Sequence, residues 1–188
     1  RQDPAVTVGF KLEGDDELGG VLALIWTTTP WTLPSNLAVM VGDDIDYVVV
    51  ESDGPTGDVR RYLLAEARLA AYKRELFPDA DEATVVGRYT GADLVGRTYQ
   101  PAFSYFEGHD RAFRLVAAEF VTTTDGTGLV HTAGAFGEDD KVVTDREGIE
   151  AVMPVGKDGR FTFPVTDYEG MQVFDANLPI IDHLKAAT

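Results

Sequence analysis

The sequence predicts an α+β fold, mainly antiparallel and barrel-like, with helices packed outside the β core. Three observations predict it. Strand-like segments outnumber helical ones, several connections are short turns, and only a few stretches show helical spacing. Residues 5–12 read as a strand, followed by the turn Gly14-Asp15-Asp16-Glu17. Residues 21–29 are dominated by β-branched residues, leucine and tryptophan and predict a buried strand, stopped by Pro30 and Pro34. Residues 37–41 and 47–51 predict two more strands around the turn Gly42-Asp43-Asp44. Tyr62, Ala65, Leu69, Tyr72 and Leu76 share one face at helical spacing, so a helix is expected there, ended by Pro78. Residues 84–89, 113–123 and 128–132 are strand-like, with Asp125-Gly126 as a turn signal between the last two. Residues 138–147 predict a short helix closed by Gly148. Residues 153–155 and 160–163 flank a hairpin turn at Lys157-Asp158-Gly159, and 176–187 read as a last helix whose start Pro179 confines.

The bulk properties narrow the function. A chain of 188 residues suits one domain with its own core. It has no cysteine, which removes disulfides, thiolate metal sites and a cysteine nucleophile. The first residues, Arg1-Gln2-Asp3-Pro4, lack the apolar segment of a secretory signal, and the longest apolar run, residues 21–26, is far too short for a membrane span. A cytoplasmic protein without a membrane partner is expected. The net charge of −16 argues against non-specific nucleic-acid binding, which needs a field of lysine and arginine. Arg60, Arg61, Arg68, Lys73 and Arg74 form the one basic cluster and read as a solvated helix face.

Two segments carry chemistry. The first is Thr27-Thr28-Thr29-Pro30-Trp31-Thr32-Leu33-Pro34-Ser35-Asn36. In an extended chain Thr27 and Thr29 point one way and Thr28 the other. Hydroxyls at the end of a rigid strand, stiffened by two prolines, can hold a water or an ester oxygen; taken alone, the threonines read equally well as a strand end. The second segment runs from Asp125-Gly126-Thr127-Gly128 through His131 to Glu138-Asp139-Asp140. Its acids are explained by a helix dipole, and His131 by a satisfied buried histidine. A metal site has too few soft ligands.

Together these segments resemble the editing domain of isoleucyl-tRNA synthetase. The valyl and leucyl members carry Thr-Thr-Arg-Pro and then an acid in the first segment. Here Thr29 and Trp31 stand instead, which points to the isoleucine branch. The second segment is similar to the family's Gly-Thr-Gly-x-Val-His-x-Ala-Pro-x-x-Gly-x-Asp-Asp, with Gly134 in place of the proline. Between them, residues 89–101 resemble Gly-x-x-Leu-x-Gly-x-x-Tyr-x-Pro.

The resemblance implies a single editing domain, 1–188, inserted in the middle of a larger synthetase. It implies hydrolysis of Val-tRNA(Ile), and of valyl-adenylate as a second substrate, with catalytic residues Thr28, Thr29, His131 and Asp140. It places Thr27, Trp31, Asn36 and Asp139 in substrate binding. Asp140 is the expected anchor for the aminoacyl ammonium, with Asp139 as alternative. His131 is expected to act either as size filter or as base. No cofactor is implied here; ATP is used elsewhere in a full synthetase, whose His-x-Gly-His and Lys-Met-Ser-Lys-Ser signatures this chain lacks. The implied partners are the tRNA(Ile) 3′ end carrying valine and the rest of the synthetase, in a monomer. The alternative is a non-catalytic aminoacyl- or tRNA-binding module of a synthetase. The scarcity of lysine beside arginine is associated with a GC-rich, actinobacterial-like source.

Overall fold

The computed structural model describes residues 4–53, 59–77 and 84–186. Among these, eight strands form two sheets. The larger contains β1 (Val6–Lys11), β2 (Leu22–Thr27), β4 (Asp46–Asp53), β5 (Val59–Ala65) and β6 (Thr84–Thr90), in the order β1-β2-β5-β4-β6. Only the β2–β5 pair in it is parallel. The smaller sheet has β3 (Ala38–Val41) at its centre, parallel to β7 (Arg114–Ala117) and antiparallel to β8 (Leu129–Thr132). Both sheets are open, so the expected barrel is not formed. After β2 the chain leaves the larger sheet through a 3-10 turn, Pro30–Ser35, builds β3 in the smaller sheet and returns at β4. Strands consecutive in sequence are thereby divided between two sheets that share one core, including Phe10, Ile25, Leu33, Met40 and Leu115.

Residues 62–65 correct the predicted helix. They belong to β5, and α1 spans only Leu69–Leu76. Tyr62 and Leu63 pair with β2 on one side and β4 on the other, and Leu63 and Leu64 are fully buried. An apolar run buried on both faces belongs in a central strand, whatever helical spacing it also satisfies. Tyr72 of α1 and Phe77 cover Val48, Val50 and Leu64 in a second, smaller core. Pro78, expected to end this helix, lies outside the described residues. The basic cluster is split accordingly: Arg60 and Arg61 are on β5, Arg68 ends a 3-10 turn, and only Lys73 and Arg74 lie on α1.

The chain does turn at Asp125-Gly126, but the strands on either side of that turn do not pair with each other. β7 stops at Ala117, and β3 lies between β7 and β8. Every residue of β3 is buried, so its backbone needs partners on both edges. A one-turn helix α2 (Gly91–Leu94) was not foreseen; Thr90 caps it by accepting from Asp93 N, while the Asp93 carboxylate accepts from Thr90 N. Helix α3 (Glu138–Glu147) ends at Gly148, whose φ of 72° is the left-handed conformation glycine adopts without a Cβ penalty. Residues 153–163 make a small hairpin with one bridge, Val155 to Phe161. Helix α4 (Asn177–Ala186) carries Pro179 in its first turn and packs against the 3-10 turn Pro30–Ser35. No helix among the described residues is long and apolar enough to cross a membrane.

Candidate functional site

A cleft of about 340 Å³ opens where the end of β2, the strand β8 and the first turn of α3 meet. That is at the small end of ligand pockets, which are on the order of 300–1,000 Å³. Thr27, Thr28, Thr29, His131 and Asp140 all line it. Thr27 ends β2 and is buried, Thr28 is exposed, and Thr29 lies between these extremes. The Thr27 and Thr29 hydroxyls lie 3.3 Å apart, and Thr29 N donates to Thr27 Oγ1 at 3.0 Å. The strand alternation stops at Pro30. In the 3-10 turn that follows, residues three apart share a face, so Thr32 joins Thr29 with their hydroxyl oxygens 3.5 Å apart.

His131 projects from β8 and is 8% exposed. Both ring nitrogens are engaged, Nε2 with Thr32 Oγ1 and Nδ1 with Asn36 Nδ2, each at 2.8 Å. Burial lowers its pKa to about 4, so the ring is neutral at neutral pH. Asp140, in the first turn of α3, bends back to accept a hydrogen bond from Ala133 N at 3.0 Å. Burial raises its pKa, the Ala133 N–H opposes that, and the neighbouring Asp139 charge raises it further. Asp140 is therefore a partly desolvated carboxylate facing a small cleft. Among the described residues no cluster of three or more histidine or carboxylate groups is placed to hold a metal ion.

Three expected residues lie off the cleft. Asp139 is exposed and does not line it. Trp31 stands behind the lining residue Phe136, ring centroids 4.9 Å apart, and its backbone N–H donates to Asn177 Oδ1 of α4 at 2.9 Å. Asn36 sits behind His131. The sequence reading missed Thr32, Trp26 and Phe136, which do line the cleft, and gave Thr127 no role. The far wall is residues 120–128, tied down from several sides. Thr127 Oγ1 donates to Leu24 O, Thr127 O accepts from Ala65 N, Gly126 O accepts from Arg68 Nε, and Gly128 O accepts from the Tyr47 hydroxyl. A Cβ on Gly134 would lie 2.5 Å from Thr144 Oγ1 and 3.3 Å from Ala151 Cβ. The glycine there lets the turn before α3 close tightly onto that helix.

Comparisons with known proteins bear on this geometry. No protein-family model matches the chain. It is 56% identical over 188 residues to the isoleucine–tRNA ligase of Mycobacterium tuberculosis, and 51% identical over 197 to that of Corynebacterium diphtheriae. These alignments take in 98% and 100% of the chain but only 17% and 18% of the relatives. Among solved structures, GlLeuRS-CP1 superposes with a TM-score of 0.73 at 12% identity, covering 98% of this chain and 95% of that one. The Plasmodium knowlesi cytosolic leucyl-tRNA synthetase editing domain gives 0.69 at 9%, covering 100% and 95%. At those identities the structural likeness speaks to the fold alone.

Proposed function

We propose that this chain, homologous over its length to one segment of the isoleucine–tRNA ligases, is a proofreading module that hydrolyses valine wrongly esterified to tRNA(Ile). Valyl-adenylate is the second substrate on this reading. The observation that carries the proposal is the meeting of Thr27, Thr28, Thr29, His131 and Asp140 in one cleft. The need for such a module is physical. A hydrophobic pocket gains only about 1–3 kcal/mol from one methylene, and isoleucine against valine is the standard illustration of that limit. A second cavity that admits the smaller side chain and destroys its ester supplies the missing accuracy.

The residues divide the work. Asp140, ionised, receives the aminoacyl ammonium. The valine side chain lies against the wall that includes His131, where one more methylene would collide. The hydroxyls of Thr28 and Thr29 hold the attacking water and the ester carbonyl oxygen as it gains charge. Water adds to the carbonyl carbon, the bond to the ribose oxygen breaks, that oxygen takes a proton, and valine and free tRNA leave. Neutral His131, with both nitrogens engaged, serves as wall rather than base. The partners on this reading are the tRNA(Ile) 3′ end and the remainder of a cytoplasmic, monomeric synthetase; no cofactor enters the step.

A second reading, a non-catalytic aminoacyl-binding module, draws on the same engagement of His131, which removes the cleft's histidine from proton transfer. Hydrolysis of Val-tRNA(Ile) and Ile-tRNA(Ile) by a ligase carrying this segment separates the two. Proofreading requires that valine be released and isoleucine spared. Asp140→Ala is expected to lower kcat/KM for the valyl ester by roughly 30-fold or more, since it removes the charge that pairs with the ammonium. Binding of the valyl ester without turnover favours the second reading.

A further inference from the structure

Tyr99 belongs to the one sequence motif that the cleft does not use. Its ring is packed against Phe10 and Phe113, with centroids 5.0 and 6.0 Å away, and it is 1% exposed. Its backbone N–H donates to Phe113 O at 2.9 Å. The hydroxyl has one direction left to it and donates to Asn36 Oδ1. Burial holds this hydroxyl well above its ordinary pKa, so the proton stays on it.

The remaining donors and acceptors follow by elimination. Asn36 Nδ2 gives one hydrogen to Ala38 O at 2.9 Å and the other to His131 Nδ1 at 2.8 Å. Turning the amide over would set its oxygen against the Ala38 carbonyl, a buried mismatch, and would take from the Tyr99 hydroxyl the acceptor of its hydrogen. His131 Nδ1 therefore carries no proton, Nε2 carries one, and Nε2 donates to Thr32 Oγ1 at 2.8 Å. The Thr32 hydroxyl gives its own hydrogen to Thr29 O at 2.8 Å. A single directed chain of hydrogen bonds thus runs from the core to the cleft, beginning at Tyr99.

We propose that Tyr99 is a positioning residue: through Asn36 it fixes His131 in the Nε2–H tautomer, and with it the Thr32–Thr29 floor of the cleft, so setting the discrimination between valyl and isoleucyl esters. The specificity half of this proposal rests on the proofreading reading; the tautomer half stands without it. Removing the Tyr99 hydroxyl leaves Asn36 Oδ1 buried without a donor and frees the amide to turn. His131 then protonates Nδ1, Nε2 becomes an acceptor, and Thr32 turns from the Thr29 carbonyl to meet it.

The test has two arms. In the chain labelled with ¹⁵N histidine, ring correlations report the tautomer of His131 without any RNA. The wild type is expected to show only the Nε2–H form, Tyr99→Phe a populated Nδ1–H form, and Asn36→Asp, which replaces the amide donor by an acceptor, the Nδ1–H form alone. In a ligase carrying the segment, Tyr99→Phe is expected to lower the valyl-over-isoleucyl hydrolysis ratio roughly tenfold, the cost of one broken buried hydrogen bond, while kcat for the valyl ester is kept. An unchanged tautomer in both variants overturns the proposal, and so does a shifted tautomer with an unchanged ratio. A wild-type ligase that does not release valine overturns the reading beneath the specificity half, while the tautomer arm still decides what Tyr99 does to His131.

Discussion

His131 illustrates how a buried imidazole ties stability to pH. Its pKa falls from an ordinary 6.5 to about 4, so between those values the unfolded chain binds a proton that the native chain refuses. The stabilisation is therefore complete above about pH 6.5 and lost as pH falls toward 4, by roughly 3 kcal/mol in all. Urea unfolding from pH 7 to pH 4 should show that loss, and His131→Gln should flatten it; equal slopes in both proteins would remove histidine as the cause. The candidate residues were legible in the sequence where local geometry is simple. Alternation along a strand put Thr27 and Thr29 on one face, as found. The reading failed one residue past Pro30, because the period changes there from two to three. Thr32 turns in and Trp31 turns out, and nothing in residue type announces that rotation.

Elements with strong local punctuation were also legible. Three acids followed ten residues later by glycine gave α3 and its left-handed end. Gly148→Ala would force an alanine to φ near 72° and place its Cβ 2.5 Å from Arg111 Nη1, at a cost of about 1–2 kcal/mol. Thermal unfolding checks this; an unchanged midpoint would mean the helix ends equally well without glycine. What was not legible depends on distant partners. Tyr62 and Ala65 fit a helical stripe, and only pairing with β2 and β4 makes them a strand. Leu64→Ala should accordingly destabilise the protein by about 2–5 kcal/mol, because it opens a cavity under Tyr72 and Phe77. A cost below about 1 kcal/mol, read by chemical denaturation, would place Leu64 at a site that collapses freely. The separation of β7 from β8 has the same origin, since no local signal tells residues 113–117 and 128–132 that β3 will lie between them.

The whole molecule carries a net charge of −16, and many of its carboxylates face solvent. Self-repulsion of that size is screened by salt, so raising ionic strength from about 20 to 200 mM should raise the unfolding midpoint by roughly 2–4 °C. A falling midpoint in calorimetry would show instead that the ion pairs Arg97–Asp16 and Arg88–Glu66 outweigh the repulsion. The smaller sheet links this scale back to the cleft. His131 stands opposite Val39, and a slip of one residue along β3 would exchange it for Val130 or Thr132. Completing that three-stranded sheet and placing His131 in the wall of the cleft are one event. A copy that has lost the sheet has lost the His131 side of the cleft with it, so on the proofreading reading proposed above damage to this protein silences it. On that proposed reading errors then pass uncorrected, while correctly charged tRNA stays safe from an indiscriminate hydrolase.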